Sequence, residues 1–94
     1  MDIDVSILNT SGNKLVLLVS GVRSIEELAT AFQDGVHDYS KGILADANKS
    51  IRGLESGKFI LTCYPFYQGK REHVQSAICY ELRRQLINPI KTTH

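Results

Sequence analysis

The chain has 94 residues, 43% of them hydrophobic and 22% charged, with two prolines and two cysteines. That is the composition of one small globular domain, and it excludes a disordered chain or a disulfide-knit scaffold. The longest apolar run, Leu15 to Val19, is five residues, against the ~20 needed to cross a bilayer.

The net charge of +1 conceals a division. Residues 1–47 hold seven acids and three bases, a net of −4, while residues 48–94 hold eight bases and three acids, a net of +5. Such a dipole steers charged partners, or else it reflects complementary packing of the two halves. The acidic opening Met1-Asp2-Ile3-Asp4 is unlike a signal peptide. Cys63 and Cys79 have no zinc-site spacing. The expectation is a cytoplasmic, reduced protein with no membrane partner.

In chain order, Ile3, Val5 and Ile7 alternate with Asp4 and Ser6, the period of a strand with one wet face. Asn9 to Asn13 supplies turn residues, and the apolar run Leu15 to Val19 reads as a strand central to a sheet. Together they predict a hairpin over residues 2–19. Ser24-Ile25-Glu26-Glu27 is a capping box that opens a helix. Apolar residues then recur at helical spacing through Ile25, Leu28, Phe32, Val36, Tyr39, Ile43, Ala47, Ile51 and Leu54. The pattern predicts a helical region over 24–55, broken between Asp38 and Gly42 because glycines weaken a helix interior. Its small residues Ala31, Gly35 and Gly42 form a stripe suited to packing on the sheet or to a homodimer seam.

A third strand is expected over 58–65, with Phe59, Leu61 and Cys63 on one side and Pro65 ending it. A helix over 70–88 follows, burying Val74, Ile78, Cys79, Leu82 and Leu86 and exposing His73, Ser76, Tyr80, Arg83 and Arg84. Asn88-Pro89 stops it, leaving a tail over 89–94. The expected fold class is α+β, a single domain in the order β-β-α(broken)-β-α, with a three-stranded sheet and the helices on one face. The strand, turn and capped helix start of Ser20 to Phe32 resembles that of many α+β proteins, barstar-like inhibitors among them, but no residue role follows from so short a segment.

The chemistry-bearing residues concentrate between Tyr64 and Arg84. A strand, a loop and Gly69-Lys70 ahead of a helix superficially suggest a phosphate-binding loop. The pattern fails, because Tyr64 and Arg71 stand where a glycine and a Ser or Thr belong. Tyr67, Lys70, Arg71, His73, Tyr80, Arg83 and Arg84 instead combine rings with cations, the residues of protein hot spots and also of single-strand nucleic-acid surfaces. A catalytic set of Cys63 or Cys79 with His73 and an acid is imaginable, but Cys79 lies on the apolar stripe and His73 on a different face of the same helix. No cofactor or metal is expected.

These readings favour a non-enzymatic interaction protein, a regulator or inhibitor that docks on a larger protein or a nucleic-acid-processing complex; small proteins of this kind are common among phage and mobile-element accessory factors. The first alternative is a nucleic-acid-binding module using the same basic, aromatic unit. A second gives the active role to an acidic patch of Glu26, Glu27, Asp34 and Asp38, and a lesser one is a small enzyme or enzyme subunit.

Overall fold

The structure is a computed structural model that describes residues 3–32, 36–38, 43–45, 50–65, 67 and 69–86. β1 (Asp4–Ser11) and β2 (Lys14–Ser20) form the expected hairpin. Gly12 turns it at φ +62°, a left-handed conformation that suits glycine. α1 (Ile25–Ala31) follows, then β3 (Val36–Asp38), β4 (Ile43–Ala45), β5 (Ser50–Glu55), β6 (Lys58–Cys63) and α2 (Arg71–Leu86). The main sheet has four strands in the order β1-β2-β6-β5, and β3 and β4 pair separately as a two-stranded sheet. Every pairing is antiparallel.

This is an α+β fold, as expected, but the element order differs and the main sheet gains a strand. The helical region expected over 24–55 is helical only at its start. Ser24 caps α1 by accepting a hydrogen bond from the Glu27 amide at 3.1 Å, and the helix ends at Phe32. Three strands occupy positions where a long helix was expected. The small-residue stripe dissolves with that helix: Ala31 is buried in the core, and Gly35 and Gly42 lie outside the described residues. The helix break expected between Asp38 and Gly42 lies outside the described residues.

The period-two pattern of the strands sets the core. Leu15, Leu17 and Val19 of β2 and Phe59, Leu61 and Cys63 of β6 point to one face, joined by Ile3 and Val5. Leu28, Ala31 and Phe32 of the α1 segment and Val74, Ile78 and Leu82 of α2 cover that face. Fully burying one such side chain contributes about 1.5–3 kcal/mol, so the β2–β6 centre carries much of the stability. The other face bears Val16, Leu18 and Ile60, all half-buried. Among the described residues, no helix is long and apolar enough to cross a membrane.

β1 is an edge strand whose start is bound by α2. Gln75 Nε2 donates to the Val5 carbonyl at 2.5 Å and Arg83 Nε donates to the Ile3 carbonyl at 2.9 Å. Cys79, between them on the helix, places Sγ 3.9 Å from the same Ile3 oxygen. Positions 75, 79 and 83 form an i, i+4, i+8 row beside the buried stripe, so one helix both covers the core and satisfies the Ile3 and Val5 carbonyls at the start of the edge.

Candidate functional site

The loop after β6 and the first turn of α2 form one compact unit. The Tyr67 ring lies over Gly69, where an added Cβ would collide with the ring's Cζ and hydroxyl. The Tyr67 hydroxyl lies 2.7 Å from His73 Nδ1, linking the loop to the helix. Arg71 folds back onto the loop, where Nη2 donates to the Tyr67 and Gly69 carbonyls. Its other terminal nitrogen, Nη1, is buried and has no hydrogen-bond partner among the described residues. The Arg71 charge also reaches Cys63, but burial dominates there and pushes the thiol up to about 11. At neutral pH Cys63 is a protonated, buried thiol, which is the opposite of an activated nucleophile.

Further along α2, the exposed residues are Glu72, His73, Ser76, Tyr80, Arg83 and Arg84. Tyr80 is 69% exposed, an unusual position for a large ring. Arg84 is one turn beyond it, and its Nε donates to Glu81 Oε1 at 3.1 Å. That hydrogen bond raises the Arg84 pKa above its ordinary value.

The seven residues expected to bind a partner therefore divide. His73, Tyr80 and Arg84 share one outer stripe of α2 at helical spacing, with Lys70 exposed just before the helix. Tyr67 is half-buried and serves the stripe indirectly by bonding His73. Arg71 and Arg83 have their guanidinium groups on backbone carbonyls of the protein itself. Sequence reasoning passed over Gln75, whose polar side chain sits at the margin of the buried stripe; its i+4 and i+8 relation to Cys79 and Arg83 was the available signal.

The acidic patch also divides. Glu26 is exposed on α1, while the Glu27 carboxylate pairs with Arg23 at 3.1 Å. Asp38 lies in β3 and not on a helix shared with the glutamates, and Asp34 is outside the described residues. Cys63 and Cys79 are both free thiols. Among the described residues, no group of three His, Cys, Asp or Glu side chains could hold a metal ion.

Comparison of the chain with protein-family models, with curated proteins and with solved structures finds no match in any of the three.

Proposed function

We propose that this is a non-enzymatic interaction protein that docks on a larger partner through the outer stripe of α2. The observation that carries the reading is Tyr80, 69% exposed on a regular helix, with Arg84 and His73 on its flanks. Tyrosine and arginine are enriched at interface hot spots because they combine a large contact area with polar reach. The charge division between the halves adds support. The three described ion pairs, Arg23–Glu27, Lys58–Glu55 and Arg84–Glu81, each join residues three or four apart within one half, which leaves the long-range asymmetry available to steer an encounter. The two free thiols fit a reducing, cytoplasmic setting.

The nucleic-acid alternative has less support. Two of its cations, Arg71 and Arg83, are engaged with the protein's own backbone, and Glu72 and Glu81 interrupt the basic surface.

The test is capture from host lysate with the tagged protein and its Tyr80→Ala/Arg84→Ala variant, each with and without nuclease. A stoichiometric protein that survives nuclease and is lost with the variant supports the reading. Capture indifferent to the variant overturns the site. Capture abolished by nuclease shifts the function to nucleic-acid binding.

A further inference from the structure

The two edges of the main sheet are treated differently. At the start of β1, α2 caps the Val5 carbonyl and the Ile3 carbonyl just before the strand. Among the described residues, β5 has β6 on one side and no strand on the other, and Ser50 and Arg52 to Glu55 are exposed. We propose that the outer edge of β5 is a self-association edge: two copies pair their β5 strands antiparallel about a two-fold axis at Gly53, joining two four-stranded sheets into one.

The register identifies which backbone groups are free. Hydrogen-bonded and non-hydrogen-bonded pairs alternate along an antiparallel ladder. The Val5 carbonyl faces α2, so Val5–Val19 is a non-hydrogen-bonded pair. Val19 then bonds Phe59, and Phe59 opposite Gly53 is again non-bonded. By the same alternation through Ile7–Leu17–Leu61, Ile51 and Gly53 turn their amide N–H and C=O groups outward. These are the groups a further antiparallel strand uses.

Gly53 stands where the bulge of β5 begins. Its φ is not in the left-handed region, and an added Cβ would meet Phe59 Cε2 at an ordinary 4.0 Å. Glycine in a strand interior costs stability and marks a bulge or the close approach of another backbone, and at this edge position it is compatible with both.

The side chains of β5 complement themselves. With Gly53 opposite its own copy, Arg52 lies across from the partner copy's Leu54. The register shift between Gly53 and Glu55 is a bulge in which Leu54 and Glu55 share one opposing residue, Lys58. Leu54 and Glu55 therefore stand together, and each Arg52 meets a carboxylate of the other copy at two symmetric places. Glu55 already holds Lys58 at 3.1 Å in an exposed pair, and a carboxylate has acceptor capacity for a second cation. Leu54, 55% exposed in one chain, gains cover. Because the pairing is isologous about a two-fold axis, it uses the β5 edge of both copies at once and stops at two.

The experiment is sedimentation velocity up to about 1 mM on the full chain and on the Arg52→Glu, Glu55→Arg and doubly exchanged variants. Far-UV circular dichroism checks that each variant folds. The expected result is a dimer whose dissociation constant weakens about tenfold in each single variant, where like charges face each other twice, and recovers in the double exchange. In the unaltered protein, amide exchange at Ile51 and Gly53 should slow with concentration while Arg52, bonded to β6, stays constant. A monomer at every concentration overturns the proposal. So does a dimer indifferent to both charge reversals, or one whose Ile51 and Gly53 amides exchange at a fixed rate.

Discussion

Gln75 Nε2 donates to the carbonyl oxygen of Val5 at 2.5 Å, a contact between residues 70 positions apart. With Arg83 on Ile3, it fixes α2 along the rim of β1 and occupies carbonyls that would otherwise template another strand. Gln75→Ala should cost about 1 kcal/mol, the net worth of a part-buried hydrogen bond. Gln75→Ala/Arg83→Ala should cost about 2–3 kcal/mol and make the protein prone to aggregate at intermediate denaturant. Urea unfolding followed by circular dichroism and light scattering measures both. A double variant as stable and soluble as the parent would mean that the rim does not need α2's donors.

This relationship was not legible in the sequence, and the reason is general. Period two in Ile3-Val5-Ile7 and in Phe59-Leu61-Cys63, and period 3.6 in Val74-Ile78-Leu82, report burial of one face, so the elements with one buried face were readable. β5 is exposed on both faces for most of its length and carries a bulge at Leu54, so neither face imposes an alternation. Ile51 and Leu54, three apart, then extend a helical rhythm that began in α1. Propensity gave a warning, since Gly35, Gly42 and Gly53 are poor helix formers, but the apolar spacing outweighed it. In the candidate site, exposure of Tyr80 and Arg84 followed from the helical wheel. Arg83 reaches a carbonyl 80 positions away, which no local pattern encodes, and Arg71 folds back on carbonyls two and four residues before it, which a helical wheel does not show.

Gly69 illustrates a glycine needed for a neighbour's ring and not for its own backbone angle. Gly69→Ala puts a methyl group into the Tyr67 ring, so the ring must swing away and release His73. The expected loss is about 1 kcal/mol, because the obstructing atoms are the far end of a side chain that can move. In a Tyr67→Ala background the same substitution should be nearly neutral. A double-mutant cycle in urea measures the coupling, and additive effects would show that the ring does not rest on Gly69.

The two faces of the β2–β6 pair should respond differently to truncation. Leu61 is fully buried, so Leu61→Ala loses both transfer energy and packing, about 2–5 kcal/mol. Leu18, half-buried on the other face beside Ile60, should cost under about 1.5 kcal/mol when truncated to alanine, since solvent already reaches it. Thermal and urea unfolding of the two variants settle the ranking. Equal losses would mean that the second face is covered as well as the first.

Cys63 gives the fold a specific alkaline weakness. Burial raises its thiol from 9.0 to about 11, against the opposing pull of the Arg71 charge. The folded state therefore holds the proton more tightly than the unfolded chain does. The resulting contribution to stability is fully present below pH 9.0, the ordinary thiol value, and is lost as pH rises through about 11. Linkage puts the loss at up to about 3 kcal/mol. The informative quantity is the difference between the parent and Cys63→Ala, in which every pH effect common to the two proteins cancels. Below pH 9 the variant should be less stable, through lost packing, and above pH 10 the gap should narrow or reverse. Urea midpoints taken between pH 7 and pH 11 read this directly. A gap that stays constant with pH would mean that the thiolate is tolerated at this position, with Arg71 close enough to neutralise it.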